Sequence, residues 1–153
     1  MNIIQALSNQ QVLIAKELFV EYANSLNIDL CFQNFDKELA QLPGEYTPPD
    51  GRLLLIEHQG DNAGCVALRK IDNLTCEMKR LYVKPVYRGK GLGKILAEKI
   101  IEEARTIGYK KMRLDTLPVM KEAINLYKAI GFKEIESYRY NPEPGAMFME
   151  LEL

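Results

Sequence analysis

Histidine and cysteine are scarce in this chain. Its 153 residues include one histidine, His58, and three cysteines, Cys31, Cys65 and Cys76. The cysteines are odd in number, scattered, and lack the short paired spacings of a metal site. They fit reduced thiols better than a disulfide framework. His58 lies in a strand-like run beside a turn and reads as a surface imidazole. It assembles neither a zinc site nor a histidine-dependent triad. Cys31 has no histidine nearby in sequence and is not read as a nucleophile. Long apolar runs are also missing. No stretch approaches the roughly 20 residues that span a bilayer. Met1-Asn2-Ile3-Ile4-Gln5 has neither the basic region nor the apolar core of a secretory signal. Repeats and low-complexity tracts are absent. The expectation is one cytoplasmic domain over residues 1–153, with no metal and no membrane partner.

What is present is an ordinary globular balance, 47% hydrophobic and 27% charged residues. The net charge of −1 hides an uneven distribution. Residues 1–78 carry 5 Lys/Arg against 11 Asp/Glu, a balance of −6. Residues 79–113 carry 11 against 3, a balance of +8, and residues 114–153 carry 4 against 7, a balance of −3. A basic centre suits a polyanionic ligand, and the acidic remainder is compatible with a cationic amine. Nucleic acid also uses basic patches, but no aromatic interleaving or nucleic-acid motif accompanies this one.

The periodicities predict a mixed order of elements. A short strand is expected at Ile3–Leu7. Ser8 with Gln11 forms a capping-box pattern ahead of a helix whose inward face is Val12, Ala15, Leu18, Phe19, Tyr22 and Leu26. A second helix is expected at Phe35–Leu42, ended by Pro43-Gly44. Strands follow at Arg52–His58, Ala63–Arg69 and Leu74–Val83, with a hairpin turn at Gln59–Asn62. A helix over Leu92–Ile107 is closed by Gly108. Then come a strand at Lys111–Thr116, a helix at Met120–Ile130 capped by Gly131, and strands at Phe132–Tyr138 and Met147–Leu153. This is an α/β or α+β architecture with helices over a mixed sheet. The last strand either completes the chain's own sheet or pairs across a dimer, so monomer and homodimer both stay open.

Between the third strand and the long helix lies Tyr87-Arg88-Gly89-Lys90-Gly91-Leu92-Gly93-Lys94. Glycines at alternate positions permit close backbone approach to a ligand. The helix that follows offers unpaired N–H groups and the positive end of its dipole. The loop therefore reads as a pyrophosphate cradle. It is not a nucleotide P-loop, because Gly93-Lys94 is followed by Ile95 and not by a hydroxyl. It is not the dinucleotide fingerprint either. Counting from Gly89 or Gly91, the final glycine is replaced by Lys94 or Leu96. The pattern that fits is [QR]-x-x-G-x-[GA], carried by Arg88, Gly91 and Gly93.

That loop resembles the coenzyme A loop of the GNAT family of N-acetyltransferases. Arg80-Leu81-Tyr82-Val83-Lys84-Pro85 stands at the usual distance before it. Leu126-Tyr127-Lys128-Ala129-Ile130-Gly131-Phe132 is similar to the family's L-Y-x-x-x-G-F helix end. The element order resembles the family over nearly the whole chain. The resemblance implies a mostly antiparallel sheet splayed between the fourth and fifth strands, with acetyl-CoA in the gap. The backbone around Leu81, Tyr82 and Val83 would pair with the pantetheine arm and the acetyl group. Arg88, Gly89, Lys90, Gly91, Leu92, Gly93 and Lys94 would take the pyrophosphate. Tyr127 would protonate the leaving thiolate.

Glu77 is the first candidate for the base that accepts the amine's proton, and Asp115 the second. By period-two alternation Glu77, Lys79 and Leu81 share one strand face before any bulge, with Lys79 neutralising Glu77. One position departs from the family pattern. Met120 stands where many members carry a cofactor-holding asparagine, and Asn125 is not assigned that role. Acceptor specificity would come from the first helices and the loops near Cys31, Phe32, Gln33 and Tyr46. Tyr22, Phe32 and Tyr46 are candidates to line an apolar pocket there, though for Tyr22 and Phe32 core packing is the better reading. The Pro43–Arg52 loop is a candidate cover for the site. The leading function is acetyl transfer from acetyl-CoA to a primary amine by direct attack in a ternary complex. A non-catalytic acetyl-CoA sensor is the alternative, needing neither Glu77 nor Tyr127. A basic-patch nucleic-acid binder is the third class.

Overall fold

The computed structural model describes residues 2–26 and 34–153. Cys31, Phe32 and Gln33, expected near the acceptor, lie outside the described residues. Seven strands form one sheet: β1 (Asn2–Gln5), β2 (Arg52–His58), β3 (Asp61–Lys70), β4 (Thr75–Val83), β5 (Lys111–Thr116), β6 (Lys133–Ile135) and β7 (Met147–Glu152). Their order across the sheet is β1-β2-β3-β4-β5-β7-β6. Every neighbouring pair is antiparallel except β4–β5. The helices are α1 (Asn9–Leu26), α2 (Phe35–Gln41), α3 (Leu92–Ile107) and α4 (Lys121–Ile130). Among the described residues no helix is long and apolar enough to cross a membrane.

Local chemistry accounts for most of these boundaries. The N–H of Gln11 donates to Ser8 Oγ at 3.1 Å, and the N–H of Ser8 donates to Gln11 Oε1 at 3.1 Å. This reciprocal pair starts α1 as the capping box requires. Gln59 and Gly60 both adopt positive φ (53° and 83°) between the paired residues His58 and Asp61. A two-residue turn of that hand matches the twist of the strands it joins. Asp72 Oδ1 accepts from the N–H groups of Leu74 and Thr75 at 2.9 and 2.8 Å, turning the chain into β4. Gly108 ends α3 at φ 111°, its N–H bonded to the carbonyls of Ala104 and Arg105.

The sheet separates two apolar layers. On one face α3 buries Leu92, Leu96, Ala97, Ile100, Ile101 and Ala104 against Leu54, Ile56, Val66, Leu68, Met112 and Leu114. A fully buried Leu or Ile contributes about 1.5–3 kcal/mol, so this layer is a principal source of stability. On the other face α1 places Ala15, Leu18 and Phe19 over Leu53, Leu55, Cys65 and Ala67, with Tyr46 beneath. Tyr46 is only 2% exposed, and its ring meets Phe19 edge-on at 6.0 Å.

Two expectations are corrected here. The strand expected over Phe132–Tyr138 stops at Ile135, because the chain leaves the sheet edge and Tyr138 turns back onto the sheet face. β7 lies between β5 and β6, so it finishes the chain's own sheet, and β1 and β6 are the edges. The Pro43–Arg52 segment is no cover. It packs inward through Tyr46, and Glu45 bonds Arg69 at 2.9 Å.

Candidate active site

The site begins with a break in the sheet. β4 and β5 pair only from Thr75↔Lys111 to Glu77↔Arg113. Beyond Glu77, β4 runs on to Val83 paired to β3 alone, so the edge it turns toward β5 is open. Backbone groups on such an edge seek partners. A bulge shapes this stretch. Cys65 pairs with Tyr82 and Ala67 with Lys79, which leaves one extra residue on β4. Arg80 takes the strain at φ 59°. Its guanidinium is held by Glu38 of α2, with Nε at 3.0 Å and Nη2 at 3.0 Å, and lies 5.1 Å from the Phe35 ring centroid. A bidentate pair with a carboxylate and a ring beneath is a strong anchor for arginine.

The bulge changes which side chains share a face. Met78, Leu81 and Val83 join the α3 layer, while Tyr82 joins the α1 layer. Glu77 and Leu81, expected on one face, therefore lie on opposite faces.

Two adjoining cavities occupy the break. The larger, about 850 Å³, falls in the size range of small-molecule sites. Leu81, Tyr82, Val83, Arg88, Gly89, Gly91, Leu92 and Gly93 all line it. The glycine loop thus meets the open strand edge, as expected from the sequence. Gly89 and Gly91 have φ of 81° and 80°, conformations that favour glycine, and a Cβ added at either meets no atom within 4 Å. The space beside the loop is open, and the first turn of α3 faces it. Arg88 donates from Nε to the Val83 carbonyl at 3.0 Å and lies 5.8 Å from the Tyr82 ring centroid. One lone pair of that carbonyl is left for another donor. Lys90 and Lys94 do not line the cavity. Lys90 is exposed, and Lys94 reaches Glu98 at 3.8 Å.

The smaller cavity, about 40 Å³, lies deeper in the break. It is lined in part by Tyr127, Asp115, Leu81, Lys79, Tyr22 and Asn141. Tyr127 is 6% exposed, its ring tilted on Phe132 at 5.7 Å. Burial, and then the nearby Tyr22 and Asp115, push its phenol well above the usual range. The hydroxyl keeps its proton at neutral pH, and the residue lines the cavity. Lys79 is 5% exposed. Burial and the neighbouring Arg80 push its ammonium down to about 7, against the opposing pull of Glu77.

Glu77 does not belong to this group. It is 0% exposed and lines neither cavity. Its Oε1 accepts from Arg69 Nε at 2.8 Å, and its Oε2 accepts from Tyr138 Oη at 2.6 Å and from Arg139 Nη2. Burial alone would raise its pKa, but Lys79, Arg69 and Arg139 outweigh it and hold the carboxyl below its ordinary value. The carboxylate is sealed from the cleft and held by three donors on its own side of the sheet. The structure therefore does not bring Glu77 together with Tyr127 and Asp115 at the cavity.

Sequence reasoning gave Tyr22 to the core over a pocket and missed Leu26 and Asn141. Tyr22 and Leu26 were placed on the core face of α1, yet both line the two cavities at its C-terminal end. Their spacing by four was a true signal of a shared face. Asn141 comes from an Asn-Pro turn with no periodicity to mark it. Among the described residues no cluster of His, Cys, Asp or Glu has the makings of a metal site.

Known proteins share this arrangement. The family model described as "Acetyltransferase (GNAT) family" matches residues 16–132. An uncharacterized N-acetyltransferase of Schizosaccharomyces pombe is 44% identical over 140 residues, covering 90% of this chain and 86% of that protein. The crystal structure of a putative acyl-CoA N-acyltransferase from Klebsiella pneumoniae superposes with a TM-score of 0.76 at 28% identity, covering 99% of this chain and 97% of that one. An acetyltransferase from Streptococcus agalactiae shares the fold at a TM-score of 0.80 and 23% identity, with 99% and 98% coverage. A splayed sheet with a glycine loop at its open edge, matched by a family model across most of the sequence, places this chain in the GNAT family of N-acetyltransferases.

Proposed function

We propose that residues 1–153 act as one domain that moves an acetyl group from acetyl-CoA to a primary amine by direct attack in a ternary complex. The observation that carries this reading is the open edge of β4 beside the loop Arg88–Gly93, facing one continuous cleft. Crystal structures of a Salmonella typhimurium relative by fold and of an Elizabethkingia anophelis GNAT acetyltransferase are described as holding acetyl-CoA. Here the peptide N–H groups of the loop and of the α3 N-terminus take the pyrophosphate, assisted by Arg88. Lys90 and Lys94 contribute long-range charge only. The β4 backbone from Leu81 to Val83 pairs with the pantetheine arm.

The amine enters the smaller cavity. Its nitrogen forms a bond to the thioester carbonyl carbon, and the backbone N–H near Leu81 stabilises the oxyanion. The C–S bond then breaks, and Tyr127 gives its proton to the sulfur. Asp115, within the same cavity lining, accepts the ammonium proton through water in place of Glu77. Tyr127 is reprotonated from solvent. Asp115 and Tyr127 facing one cavity favour catalysis over a sensor that only binds acetyl-CoA.

The test is calorimetric titration with acetyl-CoA, with ATP and NAD as controls, followed by a thiol-release screen of amines. Micromolar binding of acetyl-CoA alone and transfer to an amine are expected. Binding without transfer to any amine would favour the sensor. No binding would remove the cofactor assignment.

A further inference from the structure

Glu77 is a buried carboxylate that the chemistry above does not use, yet two of the three side chains bonded to it lead toward the cleft. Tyr138 and Arg139, which it binds, belong to the connection between β6 and β7. Two residues later Asn141 extends Nδ2 to Asp115 Oδ2 at 3.1 Å. Asn141 is held in turn by its own loop, its Oδ1 accepting from the N–H of Glu143 at 3.0 Å. Asn141 and Asp115 both line the smaller cavity, and Glu77 does not.

We propose that Glu77 is a positioning residue: it latches the β6–β7 connection onto the sheet face so that Asn141 orients Asp115 in the acceptor wall. This rests on the acetyltransferase reading of the cleft. The latch has the parts such a role requires. Glu77 is the last β4 residue paired to β5, next to the point where the strands part. Its carboxylate is fixed from the β3 side by Arg69, whose Nη1 donates to Glu45. Tyr138 is fixed independently of Glu77. Its ring meets Phe148 of β7 edge-on at 5.3 Å and lies against Arg113 of β5, 5.4 Å from centroid to guanidinium. Arg113 is anchored by Glu150 at 2.8 Å. The connection therefore grips β4, β5 and β7 through charge-assisted bonds and stacking. Asn141 donates its amide to one Asp115 oxygen, leaving the other oxygen and its remaining lone pairs for an ammonium or a water.

The test is the side-chain amide resonance of Asn141 in the full chain, assigned by its absence in Asn141→Asp. In the wild type its protons should be protected from exchange. Glu77→Gln should move the pair toward solvated values and speed exchange by roughly tenfold, the factor set by loss of a charge-assisted bond. Backbone resonances of β1 and β2 should stay in place, which a general loss of structure would not allow. Tyr138→Phe removes one donor, keeps the ring, and should shift the same resonance by less. It decides the matter if Glu77→Gln fails to fold. In thiol-release assays with spermidine and L-lysine as probes, both variants should raise the amine KM and lower kcat, Glu77→Gln by more than Tyr138→Phe, and leave acetyl-CoA affinity near wild type. An Asn141 resonance unmoved in both variants overturns the latch. Lack of acetyl-CoA binding by the wild type would instead overturn the enzyme reading, and the resonance would still decide the latch.

Discussion

Gly64 gives the sharpest test of the open strand. It sits in β3 opposite Val83, and a Cβ built there would overlap the Tyr82 carbonyl oxygen and stand 3.2 Å from Val83 Cα. The obstacle is backbone, so no rotamer relieves it. Restoring normal contact requires β4 to move by about 1 Å toward the cleft. Overpacking of this kind costs about 1–3 kcal/mol. For a chain of this size that lowers Tm by about 2–4 °C per kcal/mol. The larger effect should be functional. A misplacement of about 1 Å in a reacting assembly lowers turnover on the order of 100-fold. Gly60→Ala is the control. Gly60 has φ 83° and no atom within 4 Å of an added Cβ, so it bears strain of about 1–2 kcal/mol without displacing β4. Thermal unfolding and acetyl-CoA titration on both variants separate the two costs. If Gly64→Ala loses stability yet binds acetyl-CoA and turns over like Gly60→Ala, the Leu81–Val83 edge is not the cofactor strand.

Gly91→Glu should abolish acetyl-CoA binding by placing a bulky anion at the pyrophosphate position, where the φ of 80° already disfavours a side chain; unchanged affinity by calorimetry would rule out the loop. Tyr127→Phe should lower kcat by about 10²–10⁴-fold, the span of a general acid, with acetyl-CoA affinity retained. A full rate would assign thiolate protonation to solvent. Lys79 predicts a pH effect on stability. Burial holds its folded pKa near 7, below the unfolded lysine value, so between those values the unfolded chain binds more protons. Stability should therefore rise as pH increases from 7 toward 10, with Glu77, Arg69, Arg80 and Arg139 as the charged neighbours. Urea unfolding at pH 7 and pH 9 should show a gain in wild type and a smaller one in Lys79→Met; equal slopes would refute the assignment.

The elements legible in sequence were those set by local chemistry. The Ser8–Gln11 box, the Gln59-Gly60 turn and the Gly108 and Gly131 caps each act within a few residues, and each appears where expected. The glycine loop was legible for the same reason. The facing of Glu77 was not. Simple alternation holds until Arg80 enters a left-handed conformation, and what holds it there is Glu38, 42 residues away. No local pattern encodes a bulge maintained by a distant carboxylate. Tyr138 failed similarly. Its run resembles a strand, but a phenol that finds a buried carboxylate and Phe148 leaves the sheet edge. Tyr22 shows the limit of helix periodicity. The pattern identifies a face, while the parting of β4 and β5 decides that this face looks into a cavity.

The order in which the ribosome delivers these strands has a consequence of its own. β5 forms the far wall of the cleft, but only three of its residue pairs are with β4, against six with β7. A nascent chain that has emerged only through α4 carries the glycine loop and one wall, while the other wall lacks its main support. Domains assemble largely in the order they are made. Affinity for acetyl-CoA should therefore arise only once β7 has emerged and slides in beside β5. Chains that stall before that point would carry the recognisable loop and have little hold on the cofactor.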